Sequence, residues 1–448
     1  MSEKSTITRH ALTVLAGQLA VMAYGVTDTI VAGRHAEASL AALSVGSAIF
    51  ISVYVALMGV LQALLPVWAE QRGAQDWAGI GRSLRQALYL CAITSVLGMA
   101  ALWSPHAVLE WTDVPVDLRA SVVEYLGVLA LALPPALLFR LYSTLSQALG
   151  RPQWVTWLQI AALFVKVPLS IWLTFGGAGL PAQGVVGCAW ATLVVNYVQS
   201  GLALWLLRTQ EMYAPLQLWH AMERPDWTLM RHFARLGVPA ALAITVEVTS
   251  FTLMALFIAR QGTLAAAGHQ IAANMAAVLY MVPLSFAIAT SARVSFWRGA
   301  RDEHRARQTV FIGFRLAALT SVTLSAILFI AKSKIANVYS SQADVVLLTT
   351  GLLAWVAIYH LVDAVQTLCI FVLRCYHITL APLVVYGGLL WGLGLGGGYW
   401  LAYRGVGSQA PWHSPTPFWA ASAAALCLTA AVFAWMLARA LKGAQLRR

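Results

Sequence analysis

Arg72-Gly73-Ala74-Gln75-Asp76 recurs as Arg298-Gly299-Ala300-Arg301-Asp302, 226 residues further along a chain of 448. Each copy follows an apolar run and leads into a basic stretch carrying Arg-Gln, Arg85-Gln86 in one case and Arg307-Gln308 in the other. The fourth and tenth apolar runs both end in an Arg-bearing turn, at Gly150-Arg151 and at Arg374-Cys375. One match of this length could arise by chance; the match together with the shared order of runs reads as an internal repeat of half the chain.

The runs themselves set the fold class. Sixty per cent of the residues are hydrophobic, 10% are charged and the mean hydropathy is +0.73. A water-facing surface needs about 25% charged residues overall, so this chain cannot provide one. A spanning helix takes about 20 apolar residues. Runs of that length lie approximately at 11–33, 41–68, 86–104, 120–147, 154–176, 184–207, 233–259, 265–292, 309–331, 345–371, 379–402 and 418–440. They are apolar on every face, unlike the alternating ten-residue strands of an outer-membrane barrel. The repeat offset is six spans, an even number, so both halves enter the membrane in the same direction. The expectation is an all-α integral membrane protein. Its twelve or so transmembrane helices form two six-helix lobes related by a pseudo-twofold axis along the membrane normal. Residues 1–222 hold helices 1–6 and part of the connecting loop, and residues 223–448 hold helices 7–12. Prolines inside spans (Pro66, Pro134, Pro135, Pro168, Pro239, Pro283 and Pro382) predict kinks.

The net charge of +12 does not point to nucleic acid. Most of the 29 Lys and Arg fall in the N-terminus, the even-numbered loops and the C-terminus, which places both termini in the cytoplasm of an inner (plasma) membrane protein. The first span has no small-residue cleavage pattern and reads as a retained helix. The five cysteines show no metal-ligand spacing and no disulfide framework. No loop has room for a nucleotide-binding domain, and no phosphate-binding Gly-rich Lys-Ser/Thr run occurs. No nucleophile–base pair, metal motif or cofactor loop suggests an enzyme. Uphill transport would have to draw on an ion gradient.

Three acids lie inside spans: Asp28, Glu247 and Asp363. A charge at the bilayer centre costs about 2.5–3.5 kcal/mol on insertion scales, so such residues mark ion or substrate pathways unless a base neutralises them. Burial favours a neutral carboxyl and a nearby cation favours the anion, so a buried acid can exchange H⁺ for another cation. Lys166, in Val165-Lys166-Val167-Pro168, is a lysine near the middle of a span, in the same half as Asp28. It is the expected partner of that acid. Glu247 and Asp363 have no evident buried basic partner in their own half. Polar groups near them in sequence are His269, Gln270 and Asn274 at the start of span 8, and Gln366 three residues after Asp363. Gln270 and Asn274 share a helical face. His269 reads equally well as a core residue or as part of a site.

Several of these stretches resemble the MATE (multidrug and toxic compound extrusion) transporters, NorM branch. They are Gly25-Val26-Thr27-Asp28-Thr29-Ile30-Val31-Ala32-Gly33, Gln71-Arg72-Gly73-Ala74, Gly237-Val238-Pro239 with Val246-Glu247-Val248-Thr249, Gly268-His269-Gln270-Ile271-Ala272 and Val362-Asp363-Ala364-Val365-Gln366. The similarity spans both halves, and the three buried acids fall on the family's acidic positions. It implies a V-shaped MATE/MOP-like molecule that exports small cationic or amphipathic compounds in exchange for Na⁺ or H⁺. Glu247 and Asp363 would bind the coupling cation, with Na⁺ the one metal ion expected there, and Asp28 would be the acid of the N-terminal lobe. Tyr280 is similar to an aromatic residue of span 8 implicated in handling cation and substrate. The family often carries Asn where Lys166 stands, and a lysine there is hard to reconcile with a cation site at Asp28. No cofactor is implied, and a monomer in the lipid bilayer is expected. The alternative within the superfamily is a flippase for lipid-linked oligosaccharide, which would need several intramembrane bases; Lys166, Arg140 and Arg315 are few for that role.

Overall fold

A computed structural model of the chain describes residues 2–111, 115–177, 179–405 and 410–446. Twelve helices among them are long and apolar enough to cross a membrane. We number them α1 (Glu3–His35), α2 (Glu37–Gly73), α3 (Trp77–Trp103), α4 (Leu118–Ala148), α5 (Gln153–Phe175), α6 (Val185–Thr209), α7 (Trp227–Ala259), α8 (Thr263–Gly299), α9 (Glu303–Tyr339), α10 (Ala343–Cys375), α11 (Leu380–Tyr403) and α12 (Thr416–Ala444). Each expected span is a helix. Most run on past the apolar segment, because backbone pairing continues into the interface while Arg and Lys heads reach for water. The proline expectations divide. Pro66 coincides with a break in α2 between Gln62 and Leu65, whereas Pro134, Pro135, Pro168, Pro239 and Pro283 sit within continuous helices. The glycine-rich segment Gly387–Gly396 of α11 is wound as a π-helix.

The repeat extends to hydrogen bonds. In the first pentapeptide Gln75 has φ 60°, its N–H donates to Arg72 O (3.1 Å) and the N–H of Asp76 to Gln71 O (3.0 Å). In the second, Arg301 has φ 59°, its N–H donates to Arg298 O (2.9 Å) and the N–H of Asp302 to Trp297 O (2.9 Å). Asp76 and Asp302 then cap α3 and α9, each accepting from the N–H three residues on at 2.9 Å. The ends of α4 and α10 also match. Gly150 (φ 69°) donates to Gln147 O and Arg151 to Ser146 O; His377 (φ 58°) donates to Arg374 O and Ile378 to Leu373 O. A left-handed residue closing a helix this way satisfies its last carbonyls.

Close contacts divide the chain into two compact units, Thr13–Ala241 and Met1–Leu12 with Leu242–Arg448. In the first, α4 is the hub and packs on α2, α3 and α6; in the second, α10 plays that part against α8, α9 and α12. Among the described residues α1 and α7 have no extensive close backbone approach to another helix, and side-chain hydrogen bonds and ring contacts hold them. Tyr24 Oη donates to Gln159 O at 2.6 Å, which ties α1 to α5, and Trp391 Nε1 donates to Val246 O at 3.1 Å, which ties α11 to α7. The unit boundary passes through both of these helices.

The first turn of α1 is clasped within the second unit. The Glu3 carboxylate accepts from Arg293 Nε (3.1 Å) and Nη2 (2.8 Å), from Thr309 Oγ1 (3.4 Å) and from Trp297 Nε1. Charge-assisted bonds of this kind contribute about 1.5–3 kcal/mol each when shielded from water. Glu3→Gln is expected to speed amide exchange over residues 3–12 by roughly tenfold or more, leaving the rest of the chain unchanged. Hydrogen exchange by mass spectrometry reads the effect, and unaltered protection there would show the clasp to be idle.

Candidate functional site

The hub helix α10 is buried, so a polar residue on its inner face must find its partners within the second unit. Asp363 is 3% exposed. Gln366 Nε2 donates to Asp363 Oδ1 at 2.7 Å, and Thr367 Oγ1 donates to the same oxygen at 3.4 Å. Tyr386 Oη, from α11, donates to Gln366 Oε1, which fixes the amide with its NH₂ toward the carboxyl. Tyr280, on α8, lies within electrostatic reach of both acids. Glu247, half-buried on α7, lies within electrostatic reach of Asp363. Two acids from two helices therefore sense each other's charge, and hydroxyl and amide groups of α10 and α11 order the surroundings of Asp363.

A base also belongs to this constellation. Arg374 is 5% exposed, sits over the Phe371 ring at 4.7 Å and interacts electrostatically with Glu247, Tyr280 and Tyr386. Its Nε and Nη1 make no hydrogen bond among the described residues. The expectation that Glu247 has no buried basic partner is thus corrected. The sequence placed Arg374 in a turn at the end of a span, where a charge is ordinary, but the helix continues through it. Positions 363, 367, 370 and 374 lie on one face of α10, and that spacing was the available signal. Tyr386, Tyr359 and Thr367 were also not anticipated; Tyr359 lies within electrostatic reach of both acids.

The span-8 residues fall elsewhere. His269 is buried with its ring 5.8 Å from that of Trp419, in a cluster that Tyr359 and Phe251 extend. Its ring belongs to this aromatic cluster, and no hydrogen bond joins it to the carboxyls among the described residues. Gln270 and Asn274 do share a face, with Gln270 Nε2 donating to Asn274 Oδ1 at 3.4 Å, but both are exposed and no contact with the acids is seen among the described residues.

In the first unit, Asp28 meets its expected partner. Lys166 Nζ is 2.8 Å from Asp28 Oδ1 and also donates to Cys188 O (3.0 Å) and Thr192 Oγ1 (2.6 Å). Ser170 Oγ donates to the same Asp28 oxygen at 3.1 Å. The lysine is 1% exposed, and all three of its N–H groups have oxygen partners.

The MatE family model matches residues 14–172 and 239–400, two stretches that between them contain Asp28, Lys166, Glu247 and Asp363. The chain belongs to the MatE family. Among MatE relatives, "Probable multidrug resistance protein NorM" of Aromatoleum aromaticum is 35% identical over 430 residues, covering 96% of this chain and 92% of that protein. "Multidrug resistance protein MdtK" of Yersinia pseudotuberculosis is 30% identical over 418 residues, covering 93% and 91%. The fold agrees with that of the eukaryotic MATE transporter AtDTX14, at a TM-score of 0.85 and 18% identity over 99% of this chain and 98% of that one. As a MatE protein of the NorM type, the chain is a multi-pass membrane protein whose buried charges lie in helices of both units.

Proposed function

We propose that this chain is a secondary active exporter of cationic or amphipathic drugs and toxic organic compounds, exchanging them for Na⁺ or H⁺ through Glu247 and Asp363. The observation that carries the reading is the pairing of these acids within one unit, one buried and ringed by donors, the other half-buried. The two acids share one buried base among the described residues, Arg374, so one carboxyl has no counter-charge of its own, which suits the pair to take up a proton or a metal cation and to give it back. Their separate helices matter as well. α10 is a packed hub, while α7 is held by side-chain hydrogen bonds and ring contacts, so a shift of α7 would alter the distance between the acids and with it their hold on a cation. The names of the relatives, multidrug resistance proteins NorM and MdtK, support drug export. The positive-inside pattern supports an inner-membrane protein with both termini in the cytoplasm. The oligosaccharide-flippase reading loses ground, because Lys166 is neutralised by Asp28 and Arg374 faces Glu247. These bases are then poor candidates for a phosphate site.

The test is efflux of a fluorescent organic cation from proteoliposomes under an imposed pH gradient or Na⁺ gradient. Accumulation against the dye's own gradient in one of the two conditions is expected. Dye movement that follows neither gradient would overturn the antiport.

A further inference from the structure

The oxygens around Lys166 are arranged as those of a cation site are. A carboxylate oxygen of Asp28 on α1, the main-chain carbonyl of Cys188 and the hydroxyl of Thr192, both on α6, surround one positive centre at 2.8, 3.0 and 2.6 Å. The carboxylate is itself fixed by Ser170 of α5. One carboxylate, one carbonyl and one hydroxyl form an all-oxygen donor set of the kind that hard cations take. The three oxygens come from two helices, α1 and α6, and the centre they share is buried. The Thr192 hydroxyl donates its own proton to Cys188 O at 2.9 Å, which leaves its lone pairs free to face the cation. The cage is therefore built to hold positive charge, and the lysine stem delivers an ammonium into it from α5.

We propose that this cage is a monovalent-cation site in which the Lys166 ammonium is a permanent tethered occupant, so that the first unit takes up no coupling ion of its own. The consequence for coupling rests on the reading of Glu247 and Asp363 given above; the nature of the cage does not. Exchange would then run through the second unit alone, and Asp28 would hold α1 against α5 and α6 throughout the cycle.

The cage is tested by equilibrium binding of ²²Na⁺ and ⁸⁶Rb⁺ to the purified full-length protein. Lys166→Ala is expected to bind one more equivalent of one of these ions per chain than the wild type. Adding Asp28→Asn to it should abolish the gain. Lys166→Gln, which keeps amide donors toward Cys188 O and Thr192 Oγ1, replaces Lys166→Ala if the alanine variant is not monodisperse. The doubly neutral Asp28→Asn/Lys166→Met variant should keep the wild-type ion stoichiometry. A folded Lys166 variant that gains no ion overturns the proposal, and so does a doubly neutral protein that gains one. Failure of the second-unit reading looks different: Glu247→Gln would retain coupling while Lys166→Ala still gained its ion.

Discussion

Glu247→Gln and Asp363→Asn are each expected to reduce gradient-driven efflux of an organic cation to the level of protein-free liposomes. A unit charge about 4 Å from a monovalent cation contributes about 4 kcal/mol at an effective dielectric constant near 20. Losing one carboxylate charge should therefore weaken cation binding by roughly a thousandfold, since each tenfold corresponds to about 1.36 kcal/mol. The fold should survive both changes. The amide that replaces the Asp363 carboxylate retains an oxygen to accept from Gln366 Nε2 and Thr367 Oγ1. Glu247 is half-buried, and an amide there removes a charge without opening a cavity. Arg374 sharpens the expectation: without the Glu247 carboxylate, a buried guanidinium that already lacks partners at Nε and Nη1 among the described residues loses a counter-charge. Glu247→Gln should accordingly cost some thermal stability as well, whereas Asp363→Asn should be close to neutral in that respect. Full coupled transport in both variants would remove the basis of the antiport mechanism.

Much of this arrangement is legible in the sequence because the bilayer leaves few options. Long apolar runs can only be helices, and an acid within one is conspicuous because its burial is costly. Asp28 and Lys166 could be matched before any geometry was known, since a mid-span lysine has the same conspicuousness. Arg374 escaped notice because basic residues at span ends are ordinary, and only the continuation of α10 to Cys375 buries it. Tyr386, Tyr359 and Thr367 escaped because tyrosine and threonine are common in apolar helices and carry no cost that singles them out. Gln270 and Asn274 show the converse limit. Helical spacing put them on one face, but spacing cannot say whether that face meets the acids. Nor could any local pattern show that the first turns of α1 group with the second half through Glu3 and Arg293, 290 residues away in sequence.

The second large effect lies in the Asp28–Lys166 pair and is one of stability. Lys166→Met should destabilise the protein by about 3–5 kcal/mol, because the buried Asp28 carboxyl would lose its counter-charge. Asp28→Asn should cost a comparable amount, since it strands an ammonium that is 1% exposed. The double variant should recover most of the loss, because two neutral side chains need no counter-charge, and the deviation from additivity measures the coupling. The readout is the shift of the unfolding midpoint in detergent, with choline as the sole buffer cation so that no small ion enters the cage. If the cage accepts a metal cation, adding Na⁺ or Rb⁺ at about a hundred times its dissociation constant restores about 2.7 kcal/mol to the Lys166→Met protein and nothing to the double variant. Strictly additive midpoint shifts would mean that the two charges, though 2.8 Å apart, do not depend on each other, and α1 would then need another explanation for its place beside α5 and α6.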